Sequence, residues 1–330
     1  MSNKQFVFNA FDNKEVERVP VGFWFHFIQG EEIKQGLENA DILQKSIEGH
    51  KKFVGDFGPD FVKLMSDGFF AYPNPILLEA KKAGDLRELK PLGVNHPWIQ
   101  KQVELVKTLT DAFGDDLATF YNIFAPATFF KILLNEKGNQ VLADFITEDK
   151  EAVKYALDVI AQDLAVLSQQ VITAAKADGI YLSVQNIQDA RITKEIYQEV
   201  VAPSEKKVLE GANEVSSNNI LHICGFKGNR NDLSWYTDYN AKAINWAVTV
   251  ENVSLSEGKK LFGGKAVIGG FNNTESGLLN TGSQAEVEEY TQKLLEEAGK
   301  TGVILGADCT VPSNIDLARL EWVRSKAAAL

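Results

Sequence analysis

The chain has 330 residues, a formal net charge of −11 at pH 7, and only two cysteines and four histidines. This length allows a large core, and α/β barrels routinely exceed about 250 residues as a single domain. The negative charge disfavours nucleic acid, whose phosphates require cationic partners, and it also disfavours an anionic membrane surface. The composition therefore favours a soluble globular protein with no nucleic-acid or membrane partner.

The N-terminal segment has no apolar core followed by a cleavage site, so it does not have the character of a signal peptide. No apolar run approaches the length needed to span a membrane. A cytoplasmic location is the resulting expectation. Cys224 and Cys309 are too few for a disulfide framework, and in a reducing compartment they are buried thiols, metal ligands or nucleophiles.

Short runs of apolar, β-branched or aromatic residues recur along the chain and predict eight strands. These are residues 19–25, 61–65, 117–124, 179–184, 219–224, 241–248, 266–271 and 302–309. Several runs are almost continuously apolar, which is typical of parallel strands buried on both faces.

The segments between these runs have helical periodicity. Residues 283–299 begin with a capping box, Ser283 and Glu286, and end on Gly299. Residues 147–178 repeat apolar side chains at helical spacing, and 204–217 and 253–264 are shorter helices of the same kind. Eight strand–helix units predict an α/β fold, a (β/α)8 TIM barrel, as one domain over 1–330. Residues 68–97 are too long for a simple connection and predict an insertion or cap.

In such barrels the chemistry lies at the C-terminal ends of the strands, where the following loops converge. His222 and Cys224 are two residues apart, so strand alternation places both on one face, and Cys309 ends a different strand at the same mouth. Two thiolates and one imidazole suit Zn²⁺, and three protein ligands leave one coordination position open. A thiol that occupies this position would be deprotonated at neutral pH. The alternative is that both cysteines are simply small buried apolar residues, which is the commoner case.

Other polar residues and glycines at the predicted strand ends are weaker candidates. Asp67 and His26 are the predicted catalytic residues, although Asp67 is equally consistent with a helix cap and His26 with a hydrogen-bonded mouth residue. The predicted substrate-binding residues are Asn122, Gln185, Asn186, Trp246, Gly270 and Asn272. Gly270 and its neighbours are also consistent with tight turns. Glu251 and Asp308 are conceivable fourth zinc ligands, but Asp308 is expected to face away from Cys309.

Over nearly its whole length the chain resembles the uroporphyrinogen decarboxylase superfamily. The segments that carry the resemblance include "ERVPVGFW", "FVKLMSDGFF", "FAPATFF", "HICG", "AINWAV", "VIGGFNN" and "LGADCTVP". The resemblance implies an (α/β)8 barrel. The decarboxylases of this superfamily act on a tetrapyrrole without a cofactor, using an arginine-rich segment, an aspartate and a histidine. Only the aspartate has a counterpart here, Asp67, and "GFWFHFIQGEE" contains no arginine.

A second branch of the superfamily contains zinc-dependent methylcobamide:thiol methyltransferases. Their signature, His-x-Cys followed by a distant cysteine, matches His222, Cys224 and Cys309. This resemblance implies a bound zinc, a small thiol substrate, and methylcobalamin carried by a partner corrinoid protein. The main hypothesis is therefore a zinc-dependent methyltransferase. The alternatives are a uroporphyrinogen decarboxylase and a non-catalytic corrinoid- or tetrapyrrole-binding barrel. The sequence leaves the oligomeric state open, with a homodimer as one option.

Overall fold

Parallel strands pair in the order in which they occur along the chain. A computed structural model of the protein describes residues 2–330, and these contain a seven-stranded sheet with the order β1 to β7. The strands are β1 Phe61–Leu64, β2 Ala118–Phe124, β3 Gly179–Val184, β4 Ile220–Ile223, β5 Ala243–Trp246, β6 Ala266–Phe271 and β7 Val303–Ala307. All six pairings are parallel. The sheet is therefore barrel-like, with its carboxyl ends gathered at one mouth.

Helices separate the strands and pack on the outer face of the sheet. They are α1 Asn3–Phe11, α2 Ala40–Phe57, α3 Ile76–Glu79, α4 Pro97–Phe113, α5 Pro126–Leu133, α6 Gly138–Thr173, α7 Lys194–Val200, α8 Ala202–Asn213, α9 Val248–Glu251, α10 Leu255–Leu261, α11 Leu278–Thr281, α12 Gln284–Ala298 and α13 Leu317–Ala329. Short 3₁₀ turns lie at Gly30–Lys34, Ala83–Glu88, Asn135–Lys137, Phe226–Gly228 and Leu233–Tyr236. Within residues 2–330, every helix is too short or too polar to cross a membrane.

The prediction of eight regular strands is wrong at the first one. Residues 19–25 form a single parallel bridge, between Val21 and Leu305, instead of a strand. Pro20 has no N–H to donate, and the Val21 N–H donates to the Asp60 carboxylate at 2.7 Å instead of to a neighbouring strand. The segment still lies between the two edges of the sheet, because Gly22 N donates to Leu305 O at 2.9 Å and Asp60 N donates to Val21 O. The TIM barrel is therefore corrected to a seven-stranded, incompletely closed one.

The helix predicted over 283–299 is confirmed as α12. Ser283 Oγ accepts from Glu286 N, and Ser283 N donates to the Glu286 carboxylate at 2.7 Å, so both halves of the capping box form. Gly299 ends the helix with φ of 75°, a conformation that glycine adopts without strain.

The helix predicted over 147–178 is part of the longer α6. Asp149 interrupts α6 with φ of −156°, and its carboxylate accepts from Ala152 N at 3.1 Å. This bond caps the second half of the helix, in the way that an aspartate caps a helix start. The predicted start at 147 therefore lies beside the kink, whereas the first half of α6 was not predicted.

Residues 68–97, predicted to be an insertion or cap, contain α3 and one 3₁₀ turn. Asp163 of α6 anchors this segment, because its carboxylate accepts from Tyr72 Oη at 2.6 Å, Leu92 N at 2.8 Å and Gly93 N at 3.0 Å. Asp163 is buried, so these three donors provide the hydrogen bonds that its desolvated charge requires.

Helix α1 closes the end of the barrel opposite the mouth. Phe6 and Phe11 pack in one buried cluster with Phe61, Phe120 and Ile220, which lie at or near the first residues of their strands. Large aromatic side chains fill this end completely enough that Phe11 is only 2% exposed. Polar side chains are therefore restricted to the middle and upper part of the interior.

Candidate metal centre

His222, Cys224 and Cys309 meet at the mouth of the barrel. His222 lies on β4, Cys224 directly follows β4, and Cys309 follows β7 by two residues. The Sγ atoms of the cysteines are 3.9 Å apart, and Cys309 Sγ is 3.6 Å from His222 Nε2. The three ligand-type atoms all lie within 4.8 Å of one another, and both cysteines are free thiols. The three residues share one face and one end of the sheet, as the sequence analysis expected.

Two of the three donor separations match those of a tetrahedral zinc site. Zn–S bonds of about 2.3 Å and Zn–N bonds of about 2.0 Å, at the tetrahedral angle, separate two sulfurs by about 3.8 Å and a sulfur and nitrogen by about 3.5 Å. The observed separations are 3.9 Å and 3.6 Å. The donor set also has the chemistry that zinc prefers, soft sulfur with imidazole nitrogen. The residues therefore fit this ion.

Asn245 fixes which nitrogen of His222 faces the two sulfurs. Asn245 Nδ2 donates to Ile268 O at 2.8 Å and Ala307 O at 3.2 Å, so its amide oxygen is directed to His222 Nδ1. Because that oxygen only accepts, Nδ1 carries the proton and Nε2 presents its lone pair towards Cys309. The sequence analysis placed Asn245 at this strand end without giving it a role.

The two thiols share a proton unequally. A hydrogen bond from Cys224 holds the pKa of Cys309 well below its usual range, whereas the same contact and burial raise the pKa of Cys224. Cys309 is therefore the more acidic thiol of the pair. Metal binding would release the remaining thiol proton, because both sulfurs must be deprotonated to act as ligands.

Gln185 and Asn186 support the loop that carries Cys224. Gln185 Nε2 donates to Cys224 O at 3.2 Å. Lys131, which is buried, donates to Gln185 Oε1 and to Asn186 O, both at 3.0 Å. Asn186 Oδ1 accepts from Tyr236 Oη at 2.6 Å. Both predicted substrate-binding side chains are thus engaged by the protein itself. Burial lowers the pKa of Lys131 to about 8.

Neither conceivable fourth ligand is available to the trio. Glu251 accepts from Asn231 N and Nδ2, and Asp308 accepts from Val248 N at 2.9 Å and from Thr249. Asp308 therefore faces away from Cys309, as expected from strand alternation. Among residues 2–330 the group of candidate ligands has three members, so one coordination position of a tetrahedral ion would remain open.

Asp67 and His26 form a separate pair on the β1 side of the mouth. Asp67 Oδ1 is 2.8 Å from His26 Nδ1, and Oδ2 accepts from Phe27 N at 2.7 Å and Ile28 N at 3.1 Å. Asp67 is completely buried, whereas the His26 side chain is 32% exposed. The carboxylate therefore positions the loop and the ring, and only His26 is accessible to a small molecule.

The remaining predicted substrate-binding residues occupy different environments. Asn122 Nδ2 donates to Ser66 Oγ at 2.8 Å, and its Oδ1 is buried without a hydrogen-bond partner. Trp246 faces outwards, because its Nε1 donates to Val253 O at 2.9 Å and its ring contacts Phe262. Asn122 is thus free to accept a hydrogen bond, whereas Trp246 is turned away from the trio.

Gly270 and Asn272 serve the β6 edge of the mouth. Gly270 has φ of 114°, and a side chain there would come within 2.8 Å of Leu294 in α12, so both its conformation and its packing require glycine. Asn272 Oδ1 accepts from Thr274 N at 2.8 Å and so stabilises the following turn. The local contacts of both residues are structural.

Comparison with known proteins finds methyltransferases of Methanosarcina species. The chain is 23% identical over 250 residues to the methylcobamide:CoM methyltransferase MtbA of Methanosarcina acetivorans, which covers 76% of this chain and 69% of that protein. The MtbA of Methanosarcina mazei matches with the same identity and coverage.

Solved structures share the fold. A methyltransferase from Methanosarcina mazei superimposes with a TM-score of 0.74 and 15% identity, covering 100% of this chain and 99% of that one. A B12-independent methionine synthase from Shewanella, in complex with selenomethionine, gives a TM-score of 0.57 and 12% identity, covering 94% and 97%. The family model for uroporphyrinogen decarboxylase (URO-D) matches residues 62–329, which confirms the resemblance inferred from the sequence. The chain therefore belongs to the uroporphyrinogen decarboxylase family.

Proposed function

We propose that this protein is a zinc-dependent methyltransferase that transfers a methyl group to a small thiol. The observation that supports this most strongly is the trio of His222, Cys224 and Cys309. Their donor atoms lie within 4.8 Å of one another, two of the three separations match a tetrahedral zinc site, and three ligands would leave one position open. The similarity to two methylcobamide:CoM methyltransferases supports a methylcorrinoid as the methyl donor, carried by a partner corrinoid protein.

The chemistry proposed is a nucleophilic displacement. A zinc ion held by the trio would lower the pKa of a thiol at the open position and so supply a thiolate at neutral pH. The thiolate sulfur provides both electrons of the new S–C bond, and the methyl carbon leaves its donor without the electrons of the broken bond. What the protein must provide is therefore a fixed nucleophile, an aligned donor and a way to remove the thiol proton.

The residues of the mouth divide these tasks. His222, Cys224 and Cys309 would hold the ion, and Asn245 keeps His222 Nε2 directed towards it. We assign the thiol proton to His26, because Asp67 holds the Nδ1–H of that ring and leaves Nε2 with a lone pair. The Oδ1 atom of Asn122 is buried without a hydrogen-bond partner, and it would accept a hydrogen bond from the substrate.

Metal analysis and methyl transfer test this proposal together. Purified protein is expected to contain one equivalent of zinc and to convert methylcobalamin and one of a panel of small thiols, coenzyme M among them, to a methyl thioether. His222→Asn is expected to reduce both zinc content and turnover by at least a hundredfold, because a zinc ligand is lost.

A matched control uses the same substitution at another histidine. His96 accepts from Trp98 N at the start of α4, a task that asparagine also performs, so His96→Asn is expected to keep its zinc and its activity. Zinc-free protein with full methyl-transfer activity, or an active His222→Asn variant, would contradict the proposal.

Decarboxylation of uroporphyrinogen is the second candidate, because the family model bears that name. The contacts of Asp67 argue against it: the carboxylate is completely buried and already accepts from Phe27 N, Ile28 N and His26. Release of CO₂ and coproporphyrinogen from uroporphyrinogen would support this candidate. The third candidate, a non-catalytic corrinoid- or tetrapyrrole-binding barrel, requires spectral binding of a corrinoid without any turnover.

A further inference from the structure

Lys63 is a cation enclosed in the barrel interior. It lies on β1, is 4% exposed, and places its Nζ 4.2 Å from the centre of the Tyr181 ring and 5.3 Å from that of Trp24. Among residues 2–330, these two ring contacts are the interactions of its Nζ, which forms neither a salt bridge nor a hydrogen bond with the protein. The two aromatic faces are the contacts that stabilise its charge.

An ammonium group buried in this way requires an explanation. Removing the charge from water is costly, and an apolar side chain of similar volume would pack between Trp24 and Tyr181 without that cost. The sequence signals the anomaly, since Lys63 interrupts the apolar run "FVKLM" of a strand whose other residues are buried. Burial lowers the pKa of Lys63 to about 8, and the negative charges of Cys309, Cys224 and Asp67 oppose this change.

The position of Lys63 connects it to the metal centre. The Tyr181 ring contacts both, because its centre is 4.2 Å from Lys63 Nζ and 5.6 Å from the centre of the His222 ring. The groups that act electrostatically on Lys63 are the two cysteines of the trio and Asp67. Three hydrogen-bond donors already balance the charge of Asp67. The trio of His222, Cys224 and Cys309 is therefore the place near Lys63 where negative charge would increase during the proposed reaction.

The charges at that centre can be counted. A divalent ion with two thiolates and a neutral imidazole is formally neutral, and a third sulfur bound as thiolate makes the centre negative by one charge. In a partly buried environment this charge interacts with a neighbouring cation much more strongly than it would in water.

We propose that Lys63 is a positioning residue that selects the anionic, thiolate form of the ligand at the open coordination position. Its ammonium group neutralises the negative charge that the third sulfur brings, so it favours a thiolate over a neutral ligand. This inference rests on the proposed function, and it assigns to Lys63 an electrostatic role at the metal centre without direct contact with the ion.

Cobalt-substituted protein provides the test, because Co²⁺ reports thiolate ligation by sulfur-to-metal charge-transfer absorption. We compare binding of 2-mercaptoethanol, which binds as a thiolate, with binding of imidazole, which binds as a neutral molecule. In Lys63→Met the dissociation constant for 2-mercaptoethanol at pH 7 is expected to rise about tenfold, and that for imidazole less than about twofold. The pH at which the thiolate band appears is expected to rise as well.

The control is the same substitution at a half-buried lysine remote from the mouth. Lys265 donates to Tyr239 O just before β6 begins, so Lys265→Met is expected to leave both dissociation constants unchanged. Lys63→Gln serves as a second neutral variant if Lys63→Met does not fold. Equal affinities of Lys63→Met and unmodified protein for the thiol, or parallel losses for thiol and imidazole, would overturn the inference while leaving the metal site in place. Failure of the unmodified protein to bind Co²⁺ or Zn²⁺ would instead overturn the proposed function and the inference with it.

Discussion

Two polar clusters lie at the mouth of the barrel, and they differ in how many of their lone pairs are in use. On the β1 side, Asp67 accepts from His26 and from two backbone N–H groups, so its acceptor atoms are occupied by the protein. On the β4 and β7 side, His222 and the two cysteines direct donor atoms at one another, at 3.6 Å and 3.9 Å. The Asp67 carboxylate is therefore fully used in holding its loop and His26, whereas the second cluster has lone pairs of the kind that a metal ion binds.

The largest of the expected effects is a loss of metal affinity at the cluster of His222, Cys224 and Cys309, and it is expected from Asn245→Leu. Loss of the oxygen that accepts from His222 Nδ1 frees the ring to rotate, and loss of such outer partners typically lowers metal affinity by about 10- to 100-fold. Competition with a chromophoric chelator measures this change. Asn245→Asp restores an acceptor but not the donors to Ile268 O and Ala307 O, so it should recover zinc affinity without recovering stability. If the leucine variant binds zinc as tightly as the parent, Asn245 does not orient the ligand.

Asp67→Asn is expected to lower the stability of the fold and to leave zinc binding unchanged. The substitution removes a charged acceptor from two backbone N–H groups and His26, which is expected to lower the free energy of unfolding by about 2 kcal/mol. Zinc content should remain at one equivalent, because no atom of Asp67 belongs to the trio. Urea denaturation and metal analysis on the same preparation measure both quantities. Loss of zinc in a folded Asp67→Asn protein would show that the two clusters are one site.

A smaller effect is a loss of folding stability at acid pH, and it is expected from His50 on the β1 side of the barrel. His50 is buried, with Nδ1 2.7 Å from Ser46 O and Nε2 accepting from Met65 N at 2.9 Å, so the neutral ring is the form that fits. Burial lowers the pKa of His50 to about 4, whereas the unfolded value is about 6.5. The unfolded chain therefore binds more protons between these values, and stability is lost as pH falls from about 6.5 towards 4, by at most about 1.4 kcal/mol per pH unit.

Chelator-treated protein separates this effect from acid-driven loss of metal. Denaturation at pH 7 and pH 5.5 should reveal the His50 contribution without zinc, and His50→Gln should remove the difference between the two pH values. An unchanged pH dependence in that variant would assign the effect to another group.

The grouping of His222, Cys224 and Cys309 could be predicted from the sequence because it needs only strand alternation and the position of strand ends. His222 and Cys224 share a face by the two-residue period, and Cys309 follows the last strand of a barrel-like sheet. Trp246 is predicted to bind substrate, but Asn245 points inwards, and the same period places the neighbouring Trp246 side chain on the outer face.

Other features depend on contacts that the sequence does not reveal. The first predicted strand is irregular because the Asp60 carboxylate, 39 residues further along the chain, takes the N–H of Val21. The pairing of His26 with Asp67 likewise joins two loops that no local pattern relates. Seven of the eight predicted strands are found, with ends that differ by a few residues, whereas the side-chain partners of their loops required the three-dimensional structure.

The aromatic cluster that α1 forms at the closed end of the barrel affects how small molecules reach the trio. Phe6 and Phe11 are buried at the far end of the barrel, whereas Cys224 and Cys309 are partly exposed at its mouth. In the proposed reaction the acceptor, the methyl donor and the methylated product would all use this mouth, so the order in which they bind would affect turnover. A small acceptor that enters first can lie beneath a bulky donor, whereas a donor seated first would shut the acceptor out.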